Sequence, residues 1–234
     1  MLKEMALSAT YRQDSKITPA QLEKDPNNKY YTRGSRVRLS AEQVRDQALA
    51  VSGLLNGRLF GPSVMPWQPK GIWLSPWNGQ DWQKSSGDEQ YRRALYTYWK
   101  RTAPYPSMIS FDGTAREVCT ARRIRTNTPL QALTLLNDSV YLDAARHLAT
   151  RFTGQKIPDA IGAAYAAVLF HPIDAPSLTA LKNLYDIAYA RFAHDPQKTC
   201  EMAGMDDRYD DPSTAALIVV ANAILNLDEV ITKN

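Results

Sequence analysis

The chain has 234 residues, of which 44% are hydrophobic and 22% charged, with 28 Lys and Arg against 24 Asp and Glu. This composition excludes disordered, collagen-like and low-complexity proteins, and a chain of this length can bury a sizeable core without disulfides or metals. The formal surplus is only four positive charges. Nucleic-acid-binding proteins usually carry a larger positive charge, concentrated in a stripe, so no nucleic-acid partner is predicted.

The front of the chain is predicted to be largely irregular. A short helical turn begins at Thr18-Pro19, and a longer helix over 41–56 is predicted from the Ser40/Gln43 capping box and the stop at Gly57. Residues 60–88 then contain four prolines and four glycines, which interrupt both helices and strands. Residues 91–101 are rich in aromatic side chains and are predicted to form a strand.

The back of the chain is predicted to be helical. Thr128, Pro129 and Gln131 form an N-cap, a proline at the first helical position and a capping-box glutamine. The apolar spacing and the Pro and Gly boundaries predict helices over 129–137, 138–154, 158–170, 176–193 and 212–227. The last of these is apolar nearly all round, so it is expected to lie inside the helical packing.

These elements predict a mainly α fold, which is a helical domain with an irregular Pro/Gly/Trp-rich segment and a short β element. A single domain over 1–234 is expected, with an irregular front part, 1–111, and a helical back part, 112–234. The longest apolar-rich stretch, 215–227, is too short to span a bilayer and contains two asparagines, so no membrane span is predicted.

Cofactor and metal signatures are absent from the sequence. Cys119 and Cys200 form neither a Cys-x-x-Cys motif nor a c-type haem motif, and their spacing leaves open whether they are bridged. The acidic turn 205–211 lacks the ligand pattern and the glycine of an EF-hand loop, which favours a solvated turn over a calcium site. We therefore predict no cofactor in this chain and no metal site.

Positive charge concentrates between Glu89 and Arg125, where eight basic residues face three acids and seven of the eight are arginines. Arginine suits bidentate recognition of carboxylates, sulfates and phosphates, so one interpretation is a site for an anion or an acidic glycan. The alternative, which is favoured, is a structural network in which Asp112 and Glu117 hold guanidinium groups and Arg116 pairs with Glu117.

All five tryptophans lie between Trp67 and Trp99. Aromatic side chains on loops can stack against sugars, which makes Trp73, Trp77 and Trp82 candidate ligand-binding residues. The alternative is a second aromatic core that pins the Pro/Gly-rich segment to the helices, and this alternative is favoured because buried aromatic side chains are the commoner case.

The block from Phe111 to Leu133 carries a resemblance. Phe111-Asp112, Arg116-Glu117-Val118-Cys119 and the run from Arg122 to Leu133 (RRIRTNTPLQAL) resemble the family called domain of unknown function 1553, found in large planctomycete and verrucomicrobial proteins. The resemblance extends over nearly the whole chain and implies that the chain is the C-terminal half to two-thirds of the family domain.

Several expectations follow from this resemblance. Proteins of the family commonly carry an export signal and cytochrome-c-like and carbohydrate-binding-like modules, so it implies a periplasmic or extracytoplasmic location and upstream domains of the same protein as partners. The resemblance identifies no catalytic residues. It also implies a fragmentary start, so apolar positions of the front part are predicted to have lost a covering partner and to favour association (Met5, Leu7, Ile17, Leu22).

The leading functional hypothesis is an accessory or ligand-binding domain of a large exported protein, with an anionic glycan as the possible ligand. The alternative is an enzyme domain acting on polysaccharides or on sulfated or carboxylated sugars, with Asp112 and Glu117 as the acid/base pair. The candidate ligand-binding residues are Trp73, Trp77, Trp82, Arg92, Asp112, Arg116, Glu117, Arg122, Arg123, Arg125 and Asn127.

Overall fold

The computed structural model describes residues 1–72, 82–204 and 211–233. The fold is mainly helical, as predicted. The described helices are α1 (Leu2–Leu7), α2 (Pro19–Lys24), α3 (Ala41–Ser52), α4 (Pro106–Ser110), α5 (Pro129–Asn137), α6 (Ser139–Thr150), α7 (Ile157–Leu169), α8 (Ala175–Ala193), α9 (Pro196–Ala203), α10 (Pro212–Leu225) and α11 (Asp228–Ile231). Strands β1 (Val37–Arg38) and β2 (Thr232–Lys233) pair antiparallel, with Val37 opposite Lys233.

The chain divides into two compact units. The first unit consists of Met1–Leu39 with the last residues of the chain from Ile231 on, and the second is Ser40–Val230. The first unit contains α1, α2 and the small sheet. Its helix α2 begins as the sequence predicts, because Thr18 and Gln21 form both hydrogen bonds of a capping box.

The second unit is built around α10. This helix packs against α6, α7, α8 and α9, and α3 packs against α6. Because α10 has neighbours on several sides, it buries apolar residues around its whole circumference, including Ala216, Ile218 and Ile224. The prediction that this helix lies inside the helical packing is confirmed. No helix in the described ranges has the length and hydropathy that crossing a bilayer requires.

Two helices end four residues before the end that the sequence predicts. Helix α3 ends at Ser52 because Gly53 adopts the left-handed conformation, with φ of 83°, so the stop is four residues before Gly57. Helix α6 ends at Thr150, and turns cover the residues from there to Gly154. Both helices begin within one residue of the predicted start, directly after the N-cap residues Ser40 and Asp138.

The predicted strand over 91–101 is wrong. The region forms short 3₁₀ turns at Gly87–Tyr91 and Ala94–Tyr96, with single backbone bridges from Asn56 to Arg92 and from Val64 to Thr97. The carboxylate of Asp46 accepts a hydrogen bond from the backbone N–H of Ala94 at 2.6 Å. A backbone N–H that donates to a side chain cannot also donate to a neighbouring strand. This explains why the 91–101 segment does not form a strand despite its strand-like composition.

The N-cap of α6 gives a testable pH dependence. The Asp138 carboxylate accepts a hydrogen bond from the backbone N–H of Val140 at 2.9 Å, yet burial raises the pKa of Asp138 to about 6. The folded state therefore binds a proton more tightly than the unfolded state, and stability contributed by this group is lost as the pH rises from about 4 to about 6. Asparagine caps helices as well as aspartate but carries no charge to bury.

We expect Asp138→Asn to stabilise the protein by about 1–2 kcal/mol at pH 7 and to have little effect near pH 4. Urea unfolding of both proteins at the two pH values measures the difference. Asp174→Asn at the N-cap of α8 is the control, because hydrogen bonds from Ser177 lower the pKa of Asp174 and the same change should not stabilise. Equal stability of Asp138→Asn and the parent protein at neutral pH would contradict the prediction.

Candidate functional site

The candidate site is an arginine-rich loop, residues 113–128, which connects α4 to α5 without a helix or strand of its own. Asp112 closes the base of this loop. Its carboxylate accepts hydrogen bonds from the backbone N–H of Thr126 at 2.7 Å and from the Thr126 hydroxyl at 2.8 Å, and the Gln131 side-chain amide donates a weaker one at 3.4 Å. Both ends of the loop are thereby held together.

The turn that starts the loop is tight. Asp112 has φ of 60°, a conformation that aspartate tolerates better than most residues. The backbone N–H of Gly113 donates to the carbonyl of Met108 at 2.7 Å, and a Cβ atom at position 113 would lie 2.6 Å from that oxygen. Only glycine fits there without moving the backbone.

The next part of the loop is fixed on Trp99. The indole N–H of Trp99 donates to the carbonyl of Ala115 at 3.2 Å, and the Arg116 guanidinium lies 4.7 Å from the centre of the Trp99 ring. Glu117 is exposed, and no ion pair joins it to Arg116 in the described part of the chain. The predicted Arg116–Glu117 pair is therefore wrong, because a ring contact takes the guanidinium instead.

Arg123 attaches the middle of the loop to the first turn of α3. Its guanidinium donates to both carboxylate oxygens of Glu42, at 2.9 Å and 2.8 Å. Burial works to raise the pKa of Glu42, but the hydrogen bonds and the charge of Arg123 outweigh it and hold that pKa below the usual value. The same hydrogen bonds raise the pKa of Arg123. The pair is charged at neutral pH and sets the position of the loop on α3.

A cleft of about 850 Å³ lies along the loop and is lined by Ser40, Arg122, Arg123, Ile124 and Arg125. Arg122 and Arg125 are exposed, and the Ile124 side chain is 80% exposed. Three of the predicted site residues are thus brought together around one opening. Asn127 is exposed two residues further along but does not line this cleft.

Arg92 lies elsewhere and has a structural role. Its side chain is fully buried and its guanidinium donates to the carbonyl oxygens of Arg58, Phe60 and Pro62. The guanidinium also lies 3.9 Å from the centre of the Tyr96 ring. The Arg92 guanidinium therefore holds the 58–62 segment in place and is not available to a ligand at the surface.

Of the three candidate tryptophans, Trp73 and Trp77 lie outside the described residues. Trp82 stacks on the buried Tyr105 ring with centres 5.9 Å apart, and its indole N–H donates to the carbonyl of Pro66 at 2.7 Å. The Tyr105 hydroxyl donates to the carbonyl of Trp67 at 2.6 Å. For Trp82 the structure therefore supports the second aromatic core over the stacking platform.

The sequence did not reveal two partners that shape the site. Glu42 is 81 residues from Arg123, and no local pattern connects them. Gln131 was predicted to cap α5, whereas its side chain binds Asp112 and Thr126, and Thr128 makes no side-chain cap. Asp112, proposed as an acid or base of the alternative enzyme, has its carboxylate oxygens engaged by Thr126.

The two cysteines do not form a disulfide. Cys119 is exposed on the arginine-rich loop, and Cys200 is half-buried on α9.

Comparison with known proteins gives one match. A family model described as PSD1, protein of unknown function (DUF1553), matches residues 1–185. No curated protein and no solved structure matches the chain.

Proposed function

The chain belongs to the PSD1 family (DUF1553), and we propose that it is an accessory ligand-binding domain whose arginine cleft holds an anionic glycan. The observation that carries this proposal is the grouping of three arginines along one cleft, at positions 122, 123 and 125. Export of the protein and the presence of neighbouring redox and carbohydrate-binding modules stay predictions from the resemblance.

The charge of the cleft supports an anionic ligand. Its described lining residues include three arginines and no acid. The Glu42 carboxylate pairs with Arg123 from the first turn of α3, and the lining residues themselves carry three positive charges. A concentration of one sign of charge in a concave site attracts ligands of the opposite sign.

The side chains favour sulfate or carboxylate groups on an extended ligand. Guanidinium groups bind such planar or branched anions through two parallel hydrogen bonds, which a lysine cannot do. In the sequence, Arg122 precedes and Arg125 follows the exposed Ile124, and all three line the cleft. A sulfated or uronic oligosaccharide matches this order, since it presents separated anionic groups with the apolar face of a sugar ring between them.

The loop is ordered before the ligand arrives. Asp112, Trp99 and Glu42 each hold it at a different point. A binding group that is already in position loses less conformational entropy on binding, so the affinity is higher than for the same arginines on a free chain.

Isothermal titration with a sulfated hexasaccharide, a hexamer of galacturonate and a neutral hexasaccharide tests the proposal. We expect saturable binding of the two acidic ligands and none of the neutral one, with weaker binding at about 0.5 M than at about 0.05 M salt. Replacing Arg122 and Arg125 together by glutamine should weaken binding about tenfold or more.

The matched control is Lys156→Gln with Lys182→Gln, which lowers the net charge equally at exposed positions outside the cleft. Equal weakening by the control pair would show that the affinity comes from overall charge, which contradicts the proposal. Preferential binding of a single-stranded oligonucleotide of equal charge would reassign the cleft to nucleic acid.

A further inference from the structure

Residues 1–39 contain almost no buried side chains. Among them only Asp25 is buried, at 3% exposure. The predicted exposure of the front apolar positions is confirmed, and the exposed apolar side chains include Met5, Leu7, Tyr11, Leu22, Tyr30 and Tyr31. Monomeric proteins rarely expose this many large apolar side chains within one short segment unless they bind something there.

Polar contacts, and not apolar packing, hold this segment in its conformation. The Asp25 carboxylate accepts hydrogen bonds from the backbone N–H groups of Lys29 at 2.7 Å and Tyr30 at 2.9 Å. The Arg33 guanidinium donates to the carbonyl oxygens of Asp25 at 2.9 Å and Pro26 at 3.0 Å. The exposed tyrosines beside these turns are therefore presented on a fixed backbone, which lowers the entropy cost of binding.

The same segment carries the whole charge surplus of the chain. Residues 1–39 contain eight Lys and Arg against four Asp and Glu, whereas residues 40–234 contain 20 of each. A positive surface with apolar side chains between its charges complements a surface that alternates carboxylates with apolar groups.

We propose that residues 1–39 form a docking surface for an acidic protein domain that presents apolar side chains among its carboxylates. Burial of the tyrosines and of the apolar side chains of α1 and α2 supplies the affinity, and the basic side chains select the partner. The arginine cleft is lined by other residues, Ser40 and 122–125.

Two other occupants fit less well. A second copy of the chain would bring two segments of the same positive charge face to face, which is repulsive. A lipid surface is bound by long amphipathic helices, whereas α1 and α2 have six residues each and residues 1–39 include the acids Glu4, Asp14 and Glu23.

Selection of a random peptide-display library on the full chain tests the docking surface without a known partner. We expect the enriched peptides to combine Asp and Glu with Leu, Phe or Trp. The double variant Lys3→Glu with Lys24→Glu should bind these peptides about tenfold or more weakly than the parent chain does. The double variant Leu22→Ser with Tyr30→Ser should show a loss of the same size. Lys156→Glu with Lys182→Glu, in the second unit, should leave the affinity unchanged.

Four outcomes would overturn the proposal. Enriched peptides without acidic residues would refute the charge argument, and equal affinity for the parent and the Lys3/Lys24 variant would place the binding elsewhere. Stronger binding to phosphatidylserine vesicles than to the peptides would identify a lipid surface instead, and salt-sensitive dimerisation of the chain alone would identify a second copy.

Discussion

Replacing Arg45 with methionine is expected to lower the free energy of unfolding by about 2–4 kcal/mol. Arg45 is 1% exposed on α3, and its guanidinium donates to the carbonyl oxygens of Arg92 and Gln90, both at 2.7 Å. Methionine fills a similar volume but leaves both acceptors without that donor. The gain from no longer burying a charge offsets only part of this loss, because both hydrogen bonds are charge-assisted.

Urea unfolding monitored by circular dichroism measures this effect. The control is Arg101→Met, which removes the same charge from an exposed position and should change stability by less than about 0.5 kcal/mol. If Arg45→Met were as stable as Arg101→Met, the contact between α3 and the 90–92 segment would not contribute to the fold.

Replacing Asp112 with alanine is expected to cost about 2–3 kcal/mol and to weaken anion binding at the arginine cleft without changing any arginine. The substitution removes the acceptor for the backbone N–H and the hydroxyl of Thr126. It also places alanine at φ of 60°, which alanine tolerates poorly. Without these hydrogen bonds the loop is less restricted, so ligand binding has to restrict it and the affinity falls.

Asp112→Asn separates the two effects of that change. Asparagine tolerates the positive φ and keeps one carbonyl acceptor, so it should lose less than half as much stability as alanine. Unfolding in urea and calorimetric titration with the sulfated hexasaccharide should rank both variants in the same order. An alanine variant that is destabilised but binds with the parent affinity would show that the loop is not needed to present the arginines.

Sequence predicted most of the helices whose start is defined by a local signal. Ser40 with Gln43, Thr18 with Gln21, and Pro129 each begin a helix at the expected residue. Those signals act within one helical turn, so they can be read without knowledge of the fold. Helix α9 has the same kind of signal, since Asp195 caps it and Pro196 is its first residue, and it could have been predicted.

Contacts between distant residues decide what the sequence did not predict. The 91–101 segment fails to form a strand because Asp46, from another element, satisfies the backbone N–H of Ala94. Composition identified the cluster of arginines, but it did not separate the buried Arg92 from the exposed Arg122. Residue type is the same in both, and only the packing of the surrounding chain distinguishes an internal donor from a surface donor.

The most direct test of anion binding at the arginine cleft is the ¹⁵N NMR spectrum of the arginine side chains during titration with the sulfated hexasaccharide. We expect the Nε–H signals of Arg122, Arg123 and Arg125 to shift together and to saturate with one dissociation constant. The signals of the buried Arg45 and Arg92 should stay in place. Saturable shifts confined to arginines outside 122–125, or no shifts in this loop while calorimetry reports binding, would contradict the claim that the arginine cleft is the binding site.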